Sequence, residues 1–112
     1  MNIDQIRDEV AEMLGHEPTK MDGYWMQRTG AGFVIKPISE IVPTTIDGIA
    51  ALWPKVWKWL KKQRGDGQVL WVATSGMKGY GQKEVAVVEA ANEYADRLRL
   101  LHAVLTAERN AK

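Results

Sequence analysis

Five of the chain's nine aromatic residues are tryptophan, and three of them, Trp53, Trp57 and Trp59, fall in a run that also carries Lys55, Lys58, Lys61, Lys62 and Arg64. Indole rings stack on nucleobases and cations neutralise phosphates. Trp57 and Trp59 with Lys58, Lys61, Lys62 and Arg64 are therefore the candidate binding residues of the sequence, and a base stacked on either ring would contribute about 1 to 3 kcal/mol. No acid interrupts the stretch from Gly48 through Gly65, the kind of charge block on which an anionic partner docks. Against nucleic acid stands the sequence pI near 8.0, since nucleic-acid-binding domains usually lie above about 9.

Other chemistry is thinner. Gly76-Met77-Lys78-Gly79-Tyr80-Gly81-Gln82-Lys83 is a glycine-bearing loop of the sort that cradles phosphate on backbone amides. Its spacing departs from the dinucleotide motif, and Gly81 is followed by Gln82 where a P-loop needs lysine and a hydroxyl, so the reading here is a turn. His16 stands beside Glu17 with Asp22 downstream, and His102 lies between Leu98 and Leu105; neither has a partner histidine at metal-ligand spacing, and both read as structural. Ser75 is not in a nucleophile elbow. The absence of cysteine excludes disulfides, thiolate metal sites and thiol catalysis. No catalytic, metal or cofactor residue is assigned, and the expectation is a protein that is not an enzyme.

Those residues must be positioned by one domain, because 112 residues make one core. Hydrophobic residues at 46% and charged residues at 26% suit a globular chain. The longest apolar run, Val69 to Ala73, is far short of the ~20 residues of a membrane span. The N-terminal residues lack the basic flank and apolar stretch of a signal peptide, so the expected compartment is the cytoplasm. The net charge of +1 conceals segregation: residues 1–24 hold six acids and two bases, residues 25–64 two acids and seven bases. Either the acidic segment packs beside the basic one or each faces a partner.

Ile3, Ile6, Val10, Met13 and Leu14 predict a helix over 4–14, capped by Asn2 or Asp4 and ended by Gly15, with Asp4, Asp8 and Glu12 on its outer face. Tyr24–Gln27 and Gly32–Ile35 predict a hairpin, and Pro37 and Pro43 an extended connection between them. Thr44-Thr45-Ile46-Asp47 predicts a capped short helix to about Trp53. Over 54–64 the 3/4 spacing of Trp53, Val56, Trp57 and Leu60 favours a helix. Pro54 and the Gly65-Asp66-Gly67 turn before the strand Val69–Ala73 favour a strand instead. From about Lys83 to Glu108 a helix is expected, with Val87, Ala91, Tyr94, Leu98, Leu101 and Leu105 as a seam that packs on the sheet or pairs with a second copy as a homodimer.

This order of helix, hairpin, short helix, hairpin and long helix resembles the phage ABA-sandwich domain family of small phage and prophage proteins. The residues that carry the resemblance are Met1-Asn2-Ile3-Asp4-Gln5-Ile6 with Leu14-Gly15, Pro43-Thr44-Thr45-Ile46-Asp47-Gly48-Ile49-Ala50-Ala51, Trp57-Lys58-Trp59, Leu70-Trp71-Val72-Ala73 and the alanine-bearing last helix. An aromatic usual just after the proline is absent. The resemblance implies an α+β fold of order αββαββα, with an antiparallel sheet of about four strands packed with helices. It also implies a strand over 54–64 and a phage or prophage origin, with no established activity attached. The function expected is that of a non-catalytic accessory protein in the bacterial host's cytoplasm that binds a host or phage protein. The alternative is single-stranded nucleic-acid binding through residues 55–64. A basic amphipathic helix lying on membranes is a third reading and requires 54–64 to be helical.

Overall fold

A computed structural model describes residues 2–76, 81–90 and 92–110. The chain runs α1 (Ile3–Met13), β1 (Glu17–Pro18), β2 (Tyr24–Thr29), β3 (Gly32–Pro37), α2 (Ile38–Ile41), α3 (Ile46–Ala51), β4 (Trp57–Gln63), β5 (Val69–Ser75), β6 (Lys83–Val88) and α4 (Glu93–Asn110). This is the α+β fold expected, with antiparallel strands and helices packed together. Among the described residues, however, the strands number six and divide into two three-stranded sheets, β1-β2-β3 and β4-β5-β6, in place of one sheet of about four.

Local chemistry accounts for most of the elements. Asn2 caps α1 reciprocally: its side chain accepts the Gln5 N–H at 2.8 Å and the Gln5 side chain accepts the Asn2 N–H at 3.0 Å. At the other end Gly15, with φ +94°, lets the His16 N–H reach the Ala11 carbonyl and its own N–H reach that of Glu12, which satisfies two orphan carbonyls. The hydroxyl that caps α3 is that of Thr45, accepting the Gly48 N–H at 3.0 Å. Gly48 is required there by space, because a Cβ would lie 2.3 Å from that of Pro43.

One open alternative is decided and two expectations are corrected. Residues 54–64 contain the strand β4; the chain turns at Pro54, and β5 takes the segment as its hairpin partner with Gln63 opposite Val69. The membrane-helix reading, which needed a helix here, is withdrawn. Residues 38–41 form a helical turn between the prolines, since Ile38 and Ile41 at i and i+3 then both face the interior beside α1. Finally, the long helix begins at Glu93, and Lys83–Val88 is an edge strand whose Val85 and Val87 oppose Ala73 and Trp71. The 4-residue step from Val87 to Ala91 mimicked helical spacing, but alternating valines fit a strand equally well.

α4 is the centre of the molecule. Leu98, Leu101 and Leu105 meet Ile6, Val10, Trp25, Ile41 and Ile49 in one core, while Leu100 and Val104 meet Trp57, Trp71 and Ala73 in another. The seam offered for dimerisation is thereby filled from within the chain. Tyr94 donates its hydroxyl to the Pro43 carbonyl, Val87 is on β6, and Ala91 lies outside the described residues. A second copy on Leu98, Leu101 and Leu105 would have to displace α1. Asn92 closes the start of α4 by accepting the Ala95 N–H at 2.8 Å, and the buried Asp96 accepts that of Ala90.

Among the described residues the two charge blocks share one ion pair. Glu17 and Arg28 pair at 3.2 Å, whereas Lys61 and Arg64 of the basic segment pair with Glu89 and Asp66. Among the described residues no helix is long and apolar enough to cross a membrane. With extents of 50 × 33 × 22 Å the molecule is elongated, its radius of gyration of 15.4 Å exceeding the roughly 13 Å of a compact chain of about this length. The β2–β3 hairpin ends in exposed Phe33, Val34 and Ile35.

His16 supplies a pH dependence. Burial, and secondarily the Lys36 charge, push its pKa below the ordinary 6.5, so the fold prefers the neutral ring. The stability this confers is complete above about pH 6.5 and is lost as pH falls from there through the lowered folded value. Denaturant midpoints should therefore drop between pH 7.5 and pH 5, and His16→Gln should flatten that part of the profile. An equally steep profile in the variant would assign the effect elsewhere.

Candidate binding surface

The pleat of the second sheet sorts the candidate residues between two faces. On β4, Trp57, Trp59 and Lys61 alternate with Lys58, Leu60 and Lys62. The register places Trp71 and Ala73 of β5 and Val85 and Val87 of β6 on the tryptophan side, and Leu70, Val72, Thr74, Glu84, Ala86 and Val88 on the other. α4 covers the first face.

On the covered face the two open tryptophans have different fates. Trp57 is 3% exposed and donates its indole N–H to Glu108 at 2.8 Å; its own carbonyl accepts the Trp53 indole N–H at 2.7 Å. It is a core residue. Trp59, 40% exposed, stacks on the buried Trp71 with ring centroids 5.3 Å apart and planes at 26°. The Arg97 guanidinium lies 4.5 Å from the Trp59 centroid, and the Lys61 ammonium 4.9 Å from that of Trp71, both within range of a cation–π attraction. Lys61 is also held by Glu89 at 3.0 Å and Arg97 by Glu93 at 2.9 Å. Between this stack and α3 opens a cleft of about 120 Å³ lined by Ile49, Ala50, Trp53, Trp59, Arg97 and Leu100.

Among the described residues no helix or sheet covers the opposite face. Leu60, Val72 and Ala86 stand in one cross-strand row and Leu70 and Val88 follow in the next, which Lys62 heads; the row of Lys58, Thr74 and Glu84 borders them. Leu60 is 52% and Val88 40% exposed, Leu70 is half-buried, and Val72 between them is 6% exposed. Antiparallel sheets that face water ordinarily alternate to polar residues on that side. Here the centre of the wet face is apolar and its β4 border is basic.

The six residues singled out from sequence therefore do not form one surface. Lys58 and Lys62 border the bare face, Trp59 and Lys61 share the α4 side, and Trp57 is inside. Arg64 belongs to the β4–β5 turn, bonded to the Gln68 side chain at 3.0 Å. Trp59 and the pair Lys58 and Lys62 point to opposite faces of β4. The residues of the bare face that sequence reasoning passed over, Leu60, Leu70, Val72, Ala86 and Val88, had one legible signal, the alternation of each strand.

Elsewhere, Asp4, Asp8 and Asp22 line a groove of about 350 Å³ between α1 and the β1–β2 connection. Burial and the neighbouring Asp4 raise the Asp8 pKa above the usual carboxylate value, the nearby Arg7 opposing them and Asp22 adding to them. No group of three acids or histidines among the described residues is arranged to hold a metal ion. His102 contacts Glu9 at 3.2 Å, tying α4 to α1. In the Gly76–Gly81 loop, residues 77–80 lie outside the described residues.

Compared with protein-family models, with curated proteins and with solved structures, the chain matches none.

Proposed function

We propose that the chain is a non-catalytic binding module that docks a protein partner on the bare face of its second sheet. The observation that carries this reading is the apolar row of exposed Leu60, Ala86 and Val88 with half-buried Leu70 around the buried Val72, on a sheet whose other face is already packed. Sheets with an apolar face are stable as layers when another layer covers it, and a contiguous exposed patch marks an interaction surface. The lysines on its border favour a partner segment that is apolar along its middle and acidic along one flank, such as an amphipathic helix with glutamates beside its apolar stripe. The phage or prophage origin, and action in the cytoplasm of a bacterial host, belong to the same proposal and rest on the residues that resemble the phage ABA-sandwich family.

Cross-linking in lysate of prophage-bearing cells tests it. The partner should cross-link through Lys58 and Lys62, and Leu60→Glu combined with Val88→Glu should abolish its recovery while the circular dichroism spectrum is unchanged. Recovery of the same proteins by the double variant would overturn the docking surface. Turnover of a defined substrate would overturn the non-catalytic reading. A single-stranded oligonucleotide titrated at low salt should leave Trp59 unquenched, and salt-sensitive quenching would restore the nucleic-acid alternative.

A further inference from the structure

The cleft beside Trp59 lies on the α4 side of the sheet and plays no part in the docking face. Its walls are Ile49 and Ala50 of α3, Leu100 of α4 and the tryptophans Trp53 and Trp59. One charged side chain, Arg97, reaches it. An apolar cavity of about 150 Å³ accepts benzene, so a cleft of about 120 Å³ accommodates one small ring and little more. Two indoles among its walls favour a flat, aromatic occupant, which they can meet by offset stacking or edge-on.

Arg97 decides the rest. Its guanidinium carbon lies 4.5 Å from the Trp59 ring centroid and 5.7 Å from that of Trp71, with its side chain 22% exposed. Its carboxylate partner among the described residues is Glu93, through Nη2 alone at 2.9 Å. Glu93 is half exposed and can be exchanged for another carboxylate with little loss, because ion pairs at such positions are weak. A guanidinium confined beside an aromatic ring and paired with an exchangeable carboxylate offers its fork of donors to a carboxylate from the cleft. An apolar slot for one ring with an arginine at its rim is complementary to one class of molecule.

We propose that this cleft binds a single-ring aromatic carboxylic acid, the ring lodged against Trp53 and Trp59 and the carboxylate on Arg97. Phenylacetate is the probe and phenylacetamide, equal in shape and uncharged, its control. In ¹H–¹⁵N spectra of the full chain, phenylacetate should shift the indole N–H signals of Trp53 and Trp59 saturably and bind at least about tenfold more tightly than the amide. Arg97→Met should bring the two to equal affinity. Equal binding of acid and amide by the unaltered chain, shifts confined to other tryptophans, or no saturable shift at millimolar acid would each overturn the proposal. The acid–amide comparison needs no variant, so it stands even if Arg97→Met fails to fold. Leu60→Glu with Val88→Glu should leave phenylacetate binding unchanged, so failure at the cleft and failure at the docking face are read separately.

Discussion

Trp71→Ala is expected to be among the most destabilising single substitutions in the protein, with a loss of about 3 to 5 kcal/mol. Trp71 sits on the middle strand of the second sheet, 2% exposed, against Leu100 and Val104 of α4. The Trp59 ring, the Lys61 ammonium and the Arg97 guanidinium are all built on it. Truncation would leave a cavity under α4 and remove the stacking partner of Trp59. Since domains are stable by about 5 to 15 kcal/mol in total, a large share of the folded population's margin would disappear. Urea titration followed by circular dichroism measures it. Trp71→Phe should cost much less, for a second reason. The Trp71 indole N–H is buried without a partner among the described residues, and such a donor carries a penalty of about 1 to 3 kcal/mol that phenylalanine does not have. A Phe variant as unstable as the Ala variant would show that the ring's size matters more than its unpaired donor.

Leu101→Ala should cost about 2 to 5 kcal/mol, and the form of its unfolding is as informative as the midpoint. Leu101 is fully buried in the core shared with α1, α2 and α3, while its neighbour Leu100 is buried in the core shared with the second sheet. One helix thus supplies a wall to both. Loosening it from one side should weaken the other, so Trp fluorescence, which reports largely on the sheet core, should fall together with helical circular dichroism in a single transition. Two separated transitions in the variant would show that the sheet core holds without the helical one.

How much of this was legible in the sequence depended on whether the cause was local. Caps, turns and one-faced helices are local: Asn2, one of the two caps offered for the first helix, Gly15, and the Gly65-Asp66-Gly67 turn sit where the residues placed them. β6 was missed because Val85, Val87 and Ala91 satisfy the strand period and the helix period within the same few residues. The arbiter was the free edge of β5, about a dozen residues away in the chain. α4 was read as one-faced because Leu98, Leu101 and Leu105 form a clean seam. The second set, Leu100 and Val104 with the small Ala107, is obscured by Arg97, Arg99 and His102, whose long stems or rings lie along apolar surface while their polar ends reach Glu93, the Val88 carbonyl and Glu9.

The candidate site divides along the same line. That Trp57 and Trp59 share a face follows from alternation once the segment is a strand. That a helix seals Trp57 and leaves Trp59 half open depends on where α4 ends its contact with the sheet, which no spacing within residues 54–64 encodes. The bare apolar face is a property of three strands in register, and Leu60, Val72 and Ala86 come together across 27 positions of sequence.

The double role of α4 also sets the order of events during synthesis. Both sheets precede it in the chain, so at typical elongation rates of about 5 to 20 residues per second the interval between the emergence of Trp57 and of Leu105 is roughly 2 to 10 s. From the emergence of β5 until α4 follows, the tryptophans of β4 and β5 can have strand partners but no helix over them, and Ile6, Val10 and Trp25 lack one wall of their core. The nascent chain therefore presents on both sides of its second sheet the kind of apolar surface that the finished protein keeps on one, and the completion of α4 is what ends that exposure.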